Sequence, residues 1–402
     1  MQKKRRVYLD YASATPVLPA VQRAVSKALI ALPGNPSALH EEGRMAKEAV
    51  NGARARIARS LRTRPEEIVF TSGGTESNNI ALRGVIGALA SRGVSAREQH
   101  IVSSTIEHAS VLETLLLLEK EGVSVTYVEP QQDGIVSPED VFSALTEKTV
   151  LITLAHVNSE IGTIQPVRSI GSRLARAKRT VSKKLLDVAP EMKFPVFHVD
   201  AAQSPLYLDA GPHTLFADLV TYDAQKLLGP KGVGILYRNF SVPLEAVSGG
   251  GSQERGIRPG TENTSGIVGA SVAFEYAAKG RDSRSRKIGT LRDTLIADVL
   301  KAVPNATLTG SKKNRIANNA HFVIPGVDGD YLTVLMDTEG IAVSPRSACA
   351  GTGGSYSHVV FALTKDTALA KNTIRFSLGP ATTKRDVHDA VRALMSALRT
   401  VH

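Results

Sequence analysis

The chain has 402 residues, of which 42% are hydrophobic and 22% charged, as is usual for a globular protein with an ample core. No apolar run approaches the roughly 20 residues of a membrane-spanning helix. The basic start of the chain lacks the apolar core and cleavage site of a signal peptide. We therefore expect a cytoplasmic protein without a membrane partner. The single cysteine, Cys349, excludes an internal disulfide and a cysteine-rich metal site, and we predict no metal.

Basic residues outnumber acidic ones, and the formal net charge is +11 at pH 7. Such a charge would suit an anionic partner such as RNA. The basic residues are scattered, however, and the chain has no tryptophan and only 5% aromatic residues on which bases could stack. We therefore interpret the charge as a well-solvated basic surface and expect no direct nucleic-acid binding.

Short apolar runs alternate with amphipathic helical stretches over residues 65–240. The runs are continuous rather than alternating, which is typical of strands buried on both faces. This pattern predicts a mostly parallel sheet covered by helices. In chain order, we predict helices over 20–31, 40–61, 79–90 and 108–122, and strands over 68–70, 100–103, 123–128, 150–154, 195–200 and near 219–220.

The pattern changes after the glycine run at 249–251. A long helical stretch over 265–303, interrupted by the charged segment 279–287, leads into a second α/β set. We expect a large domain over 13–255 and a smaller one built from 1–12 and 256–402. The elements predicted for this second set lie at 320–324, 330–339, 341–344, 374–378 and 384–400.

Lys226 follows the apolar residues 219–220 and precedes a glycine-proline break at 229–230, so it lies at the exit of a strand. Open α/β sheets bind their ligands at such exits. Most lysines before such a turn are merely solvated, but Asp200 ends another predicted strand. A lysine that binds the cofactor covalently and an aspartate that keeps the ring nitrogen protonated are the pair that pyridoxal phosphate requires.

The turn at 72–75, which includes Gly74 and Thr75, lies between a strand and a helix and could bind a phosphate with its N–H groups. Turns of this kind are also common without any ligand. His108 opens a helix, where the helix dipole disfavours its protonation. It could stack on a cofactor ring or relay protons, or it could be a simple capping residue.

Asn158 and Gln203 follow predicted strands and could bind a ring oxygen, although polar residues are ordinary there. Arg375 interrupts an apolar strand, and a buried charge needs a partner. Its planar guanidinium suits capture of a substrate carboxylate, with a structural salt bridge as the alternative. Cys349 lies in a segment rich in Gly, Ser and Thr, so we expect an exposed, reactive thiol rather than a buried, inert one.

Several ordered motifs together resemble one known family over nearly the whole chain. They lie at residues 8–16, 34–37, 70–77, 156–162, 198–204, 254–261, 346–349 and 374–379. With them the chain resembles the pyridoxal-phosphate-dependent cysteine desulfurases of the NifS/IscS-like group, class V aminotransferase relatives of fold type I. The resemblance implies an α/β protein with a seven-stranded-type, mostly parallel sheet and a smaller α/β domain.

The resemblance also implies an activity: sulfur leaves L-cysteine as a persulfide on Cys349, L-alanine is released, and the sulfur passes to iron–sulfur cluster assembly or tRNA thiolation. A homodimer and a sulfur-acceptor or scaffold protein are the implied partners. The implied catalytic residues are Lys226, Cys349 and His108. The implied cofactor contacts are Gly74, Thr75, His108, Asn158, Asp200, Gln203, Gln225, Lys226 and, from the other subunit, Thr261, while Asn35, Asn158 and Arg375 would hold the substrate carboxylate.

The chain departs from this family pattern at two positions beside Lys226. Members usually have histidine directly before the lysine and a small hydroxyl residue three positions before it, where this chain has Gln225 and Asp223. An ionised Asp223 facing a phosphate would be repulsive. Our hypothesis is that Gln225 and Thr221 contact the phosphate while Asp223 points elsewhere.

A second departure is a basic insertion at 178–193, which we expect to lengthen a surface helix, with a partner or tRNA contact as the rival interpretation. Alternative functions are a selenocysteine lyase, another class V aminotransferase-like enzyme, or an inactive scaffold. Cys349 argues against a simple aminotransferase, which needs no thiol.

Overall fold

The structure, a computed structural model, describes residues 5–176, 182–192, 194–346 and 356–401. Within these ranges the strands are β1 (Val7–Tyr8), β2 (Ile68–Thr71), β3 (His100–Ser104), β4 (Ser124–Val128), β5 (Thr149–Ala155), β6 (Val196–Asp200), β7 (Leu219–Asp223), β8 (Gly234–Arg238), β9 (Thr307–Leu308), β10 (Asn319–Val323), β11 (Ile341–Ala342) and β12 (Thr373–Ser377). The helices are α1 (Pro19–Ala31), α2 (Glu41–Leu61), α3 (Gly74–Ala90), α4 (Ala109–Lys120), α5 (Pro138–Ser143), α6 (Val167–Arg176), α7 (Lys183–Val188), α8 (Pro212–Leu215), α9 (Thr264–Ala278), α10 (Arg281–Ala302), α11 (Gly329–Thr338), α12 (His358–Thr364), α13 (Thr367–Lys371) and α14 (Lys384–Val401).

Seven strands form a central sheet in the order β2-β8-β7-β6-β5-β3-β4. Every neighbouring pair is parallel except those that involve β8, which is antiparallel to both β2 and β7. All seven residues of β5, which lies between β6 and β3, are buried. The predicted α/β fold with a mostly parallel sheet is confirmed.

Apolar side chains cover this sheet on both faces, as the continuous apolar runs predicted. Along β2, Ile68 and Phe70 join one core cluster and Val69 joins the other, because successive side chains point to opposite faces. Helices α2 and α9 contribute to the first cluster, and α3 and α4 to the second. The sheet is therefore packed on both faces, and its strand ends position the side chains that follow them.

The remaining strands form smaller sheets near the C-terminal helices. Strands β12, β10 and β9 form an antiparallel sheet that contacts α10 and α11, and both helices pack against α14. The N-terminal segment joins this part, since β1 pairs with β11. Helix α9 packs instead against α1 and α2. The division at residues 12 and 255 stays a prediction.

The structure differs from the sequence predictions in several details. Most of the charged segment 279–287 is helical, because α10 begins at Arg281. Only a two-residue break, in which Gly280 has a φ of 70°, separates α10 from α9. Strand β8 was not predicted. In the basic insertion the described residues 182–192 include a short helix, α7, whose N-cap is Ser182. Residues 177–181 lie outside the described residues, so the lengthening of a surface helix stays a prediction. Within the described ranges, no helix combines the length and apolarity needed to cross a membrane.

Candidate active site

The carboxyl ends of β2, β3, β5, β6 and β7 lie at one edge of the central sheet, beside a pocket. Ligands of parallel α/β sheets bind at this edge. Nine of the residues that the sequence predicted for the site line the pocket. They are Gly74, Thr75, His108, Asn158, Asp200, Gln203, Gln225, Lys226 and Arg375.

Lys226 ends a short 3-10 turn that directly follows β7, as the apolar run and the glycine-proline break predicted. Its Nζ donates to the carbonyl oxygen of Ala12 at 2.8 Å and to that of Ser13. These carbonyls belong to the segment that follows β1. The N-terminal segment therefore holds the lysine amine in the pocket.

Asp200 is the last residue of β6, on the strand next to that of Lys226. Its Oδ1 accepts a hydrogen bond from the backbone N–H of Ala202 at 3.0 Å. Its Oδ2 accepts from Nδ2 of Asn78, in α3, at 2.8 Å. Both carboxylate oxygens are thus fixed at the pocket wall.

His108 is the N-cap of α4, where its Nδ1 accepts from the backbone N–H of Ser110 at 3.1 Å and lies 2.8 Å from Ser110 Oγ. A ring nitrogen that accepts a hydrogen bond carries no proton, so Nε2 carries the proton of the neutral ring. Ser110 Oγ in turn accepts from Asn78 Nδ2 at 2.8 Å. A hydrogen-bonded path therefore connects His108 with Asp200 through Ser110 and Asn78.

Glu107 lies beside His108 and is buried in the pocket lining. Burial, reinforced by the negative charge of Asp200, raises the pKa of its carboxyl group to about 8. Ser104 Oγ donates to its Oε1 at 2.5 Å, whereas Oε2 has no hydrogen-bond partner among the described residues. Its main-chain carbonyl accepts from His358 Nε2 at 3.1 Å. Burial of Glu107 therefore favours the protonated form of its carboxyl group.

Arg375 lies in β12 with only 1% of its surface exposed, and it has the charged partner that a buried guanidinium needs. Its Nη2 donates to Asp10 Oδ1 at 3.0 Å and to Ser13 Oγ at 2.7 Å, and its Nη1 donates to the carbonyl oxygen of Ser159 at 2.9 Å. The structural salt bridge that the sequence analysis gave as the alternative role of Arg375 is therefore present. Arg375 also lines the pocket, so a substrate-binding role remains compatible with it.

The side-chain amides of Asn158 and Gln203 line the pocket and are hydrogen-bonded to main-chain groups. Asn158 Nδ2 donates to the carbonyl oxygen of Ile106 at 2.8 Å, and its Oδ1 accepts from two backbone N–H groups of the following turn. Gln203 Nε2 donates to the carbonyl oxygen of Ala12 at 2.9 Å. Both side chains therefore shape the pocket, and their contacts with a ligand stay predictions.

The glycine turn, residues 72–75, leads from β2 into α3. Strand β8 passes so close to it that a Cβ on Gly234 would lie 2.4 Å from Thr71 Oγ1 and 2.5 Å from the carbonyl oxygen of Gly73. Only glycine fits at position 234. The first N–H groups of a helix have no intrahelical acceptor, and together with the helix dipole they favour an anion.

Asp223 faces this turn. Its Oδ2 accepts from the backbone N–H of Gly74 at 3.3 Å and from Gln225 Nε2 at 2.9 Å. The hypothesis that Asp223 points elsewhere is therefore wrong, because donors that favour an anion also attract a carboxylate. Thr221 is wrong as a phosphate contact as well, since its hydroxyl is buried within the sheet, 3.1 Å from His198 Nε2.

Two predicted site residues, Asn35 and Thr261, do not line this pocket. Asn35 lies in an exposed loop, where its Oδ1 accepts from the backbone N–H of Ser37 at 2.9 Å. Thr261 is exposed in the loop before α9. Neither lines the pocket of its own chain as described. Cys349 lies outside the described residues. The roles of all three stay predictions.

Comparison with known proteins identifies the family. Residues 7–389 match the family described as aminotransferase class-V. The chain belongs to this family. A relative named cysteine desulfurase IscS, from Dictyoglomus turgidum, is 39% identical over 99% of this chain and 96% of its own length. A relative of the same name from Pseudomonas entomophila is 38% identical over 98% of this chain and 93% of its own length.

Solved structures of the family agree with this assignment. A NifS-like protein superposes with a TM-score of 0.85 at 30% identity and covers 98% of this chain and 100% of the other. A structure described as SspA in complex with cysteine gives a TM-score of 0.74 at 32% identity over 95% of this chain and 100% of the other. The predicted resemblance to the NifS/IscS-like cysteine desulfurases is confirmed, and with it pyridoxal phosphate as the cofactor of this class-V enzyme.

The pocket fits pyridoxal phosphate except at one place. Lys226 offers an amine for the aldehyde, Asp200 offers a carboxylate for the ring nitrogen, and His108 offers a flat ring beside them. The glycine turn offers N–H groups for the phosphate. The exception is Asp223, whose carboxylate faces that turn, although Gln225 places an amide donor next to it.

Sequence reasoning missed five residues that support the pocket. Four of them were close to predicted site features, so proximity along the chain was an available signal: Asp10 lies in the motif at 8–16, Asn78 follows the glycine turn, and Glu107 and Ser110 lie beside His108. His358 is brought in by tertiary structure alone. The five are Asp10, Asn78, Glu107, Ser110 and His358.

Proposed function

We propose that this class-V enzyme is a cysteine desulfurase that moves the sulfur of L-cysteine onto Cys349 as a persulfide and releases L-alanine. The observation that carries the proposal is the meeting of Lys226, Asp200 and the buried Arg375 in one pocket. An enzyme of this kind that acts on an amino acid requires three groups. They are an amine, a carboxylate that contacts the cofactor ring and a cation that binds the substrate carboxylate.

Pyridoxal phosphate, when bound, supplies an electron sink for the charge that develops at the substrate Cα. Asp200 sustains that sink by holding a proton at the ring nitrogen. Lys226 takes the proton from Cα and returns one later in the reaction. The carbonyl oxygens of Ala12 and Ser13 position its Nζ for both steps, because they hold it in the pocket beside the strand end.

Arg375 binds and orients the substrate carboxylate. A guanidinium has five N–H donors, so it can keep its bond to Asp10 and still offer donors to a second carboxylate. The position of Arg375 in a buried strand fixes the direction of those donors. His108, with the proton on Nε2, is placed to move a proton near the substrate thiol.

The sulfur step uses Cys349 as a thiolate nucleophile. Its sulfur attacks the substrate sulfur, so an S–S bond forms while the bond between the substrate Cβ and sulfur breaks. The electron pair of the broken bond stays on Cβ, which takes a proton and becomes the methyl group of alanine. The proposal for Cys349 is supported by the sequence motif at 346–349.

We further propose a homodimer in which Thr261 reaches the phosphate of the other subunit, and a sulfur-acceptor protein that serves iron–sulfur cluster assembly or tRNA thiolation. Thr261 and Asn35 lie in exposed loops outside the pocket of their own chain. Large apolar side chains near Asn35 are also exposed, Leu29 at 65% and Leu39 at 91%, as is typical of an interaction surface. A cytoplasmic location stays a prediction.

The proposal is tested with purified protein, L-cysteine and a reductant. We expect sulfide and alanine in equal amounts, no turnover by Lys226→Ala, and loss of sulfide by Cys349→Ser with the visible absorbance of the bound cofactor retained. Since the chain has one cysteine, intact-mass measurement without reductant reports on Cys349 alone, and we expect one added sulfur atom. Full sulfide release by Cys349→Ser would show that the thiol is not the acceptor.

A further inference from the structure

We propose that the Asp223 carboxylate occupies the phosphate end of the pocket in the cofactor-free protein and competes with the cofactor phosphate for the same hydrogen-bond donors. The proposal rests on the proposed function only in taking pyridoxal phosphate as the ligand. Asp223 would thereby set how tightly the enzyme keeps its cofactor.

The two oxygens of Asp223 have different partners. Oδ1 accepts from the backbone N–H of Gln225 at 3.1 Å and so caps the turn that carries Lys226. Oδ2 extends away from that turn, to the backbone N–H of Gly74 and the side chain of Gln225. The first contact is needed for the local fold, whereas the second fills a place that a ligand could take.

The donors bonded to Oδ2 are the ones that a phosphate at the glycine turn would use. The Gly74 N–H belongs to the first turn of α3, where it has no intrahelical acceptor. A Cβ built on Gly74 would lie 3.4 Å from Asp223 Oδ2, so the carboxylate is in contact with this part of the turn. A phosphate oxygen that bonds the Gly74 N–H must therefore displace Oδ2.

The charges nearby do not neutralise Asp223. Among the described residues it forms no salt bridge. Arg258, which is tied to the same helix start, pairs with Glu76 at 3.1 Å. Lys226 directs its Nζ to the carbonyl oxygens of Ala12 and Ser13. A phosphate dianion close to Asp223 would therefore experience like-charge repulsion in a partly buried site, where screening is weak.

The competition has a specific consequence for ligand affinity. A ligand with a phosphate has to displace the carboxylate, whereas a ligand without one does not. Removing the negative charge at position 223 should therefore strengthen the binding of phosphate-bearing ligands and leave the binding of the ring alone unchanged.

The test uses the full-length protein after its cofactor has been removed, with pyridoxal phosphate, pyridoxal and inorganic phosphate titrated in separate calorimetric experiments. Asp223→Asn and Asp223→Ser are the variants, because both residues keep an oxygen that can cap the turn. We expect the affinity for pyridoxal phosphate and for inorganic phosphate to rise about tenfold in both, and the affinity for pyridoxal to stay within about twofold.

The matched control is Asp218→Asn, which removes a carboxylate directly before the other end of β7, where Oδ2 accepts from the backbone N–H of Phe197. It should leave all three affinities unchanged. Unchanged or weaker binding of pyridoxal phosphate by both Asp223 variants would overturn the proposal, as would equal strengthening for pyridoxal. None of these readouts depends on desulfuration, so loss of the proposed activity and failure of this inference are distinguishable.

Discussion

Asn78 and Asp200 are joined by a hydrogen bond of 2.8 Å between the amide Nδ2 and the carboxylate Oδ2. The second hydrogen of the same nitrogen goes to Ser110 Oγ, which lies 2.8 Å from His108 Nδ1. One amide in α3 therefore orients the carboxylate expected at the cofactor ring nitrogen and, through Ser110, the imidazole expected beside the ring. We therefore expect Asn78 and Ser110 to act as positioning residues.

Replacing either positioning residue should impair catalysis without removing a group that touches the substrate. Asn78→Ala leaves Asp200 one hydrogen bond short, and we expect kcat to fall roughly tenfold, with about 1–3 kcal/mol lost from the free energy of unfolding. Ser110→Ala removes the hydroxyl donor at His108 Nδ1. The pH profile of kcat and the visible spectrum of the bound cofactor should shift in both variants.

These readouts separate positioning from a purely structural role. Thr114→Ala is the control, because Thr114 Oγ1 donates to the main-chain carbonyl of Ser110 and not to its side chain. It should change stability but leave the pH profile as in the wild type. If Asn78→Ala and Ser110→Ala also leave the profile unchanged, the path from His108 to Asp200 has no role in catalysis.

The features that could be predicted from the sequence depend on local patterns. Asp200 ends an apolar run, and Lys226 lies in the turn that follows another. Such runs mark buried parallel strands whose carboxyl ends meet at one edge. Arg375 was recognisable because a single charge interrupted an apolar strand. Cys349 was recognised from its motif and lies outside the described residues.

The features that could not be predicted depend on distant partners. The contact of Asp223 with the glycine turn depends on the N–H of Gly74, which lies 149 positions away in the chain. The importance of Asn78 depends on Asp200, 122 positions away. Strand β8 was missed because periodicity alone does not distinguish a short apolar run in a strand from a segment of buried helix.

Arg375→Lys should weaken the binding of L-cysteine specifically. Lysine keeps the charge but loses the planar fork that binds a carboxylate through two bonds. We expect KM for L-cysteine to rise roughly tenfold or more, with a smaller fall in kcat. Steady-state sulfide release measures both constants. Cysteamine, which lacks the carboxylate, is the control ligand, and its binding should be similar in the two proteins. An unchanged KM for L-cysteine would assign Arg375 to its ion pair with Asp10 alone.

Glu107 should make the stability of the protein fall as the pH rises. Burial raises the pKa of its carboxyl from 4.5 to about 8, so between these values the folded protein holds a proton that the unfolded chain has released. The unfolded state then binds fewer protons, and the free energy of unfolding falls by up to about 1.4 kcal/mol per pH unit. Glu107→Gln cannot ionise, so its stability should change less between pH 5.5 and pH 8.

Urea unfolding at the two pH values measures this difference. Glu113→Gln is the control, because Glu113 is exposed in the neighbouring helix α4, and its pH dependence should match that of the wild type. A Glu107→Gln variant that loses as much stability as the wild type between the two pH values would show that Glu107 is ionised in the folded protein.

Arg54 and Glu254 should stabilise the loop that precedes α9 through a buried ion pair. Two bonds join them, Nη1 to Oε2 at 2.9 Å and Nη2 to Oε1 at 2.6 Å, and Oε2 also accepts from the backbone N–H of Phe70 at 2.9 Å. Glu254 has a φ of 48°, which residues other than glycine rarely adopt, and the ion pair holds it there.

Glu254→Ala leaves the buried guanidinium uncompensated, so we expect the free energy of unfolding to fall by about 3–5 kcal/mol in urea titrations. Glu191→Ala, which breaks an exposed pair with Arg92, should cost less than about 1 kcal/mol. Equal losses in the two variants would mean that the buried pair does not hold this loop in place.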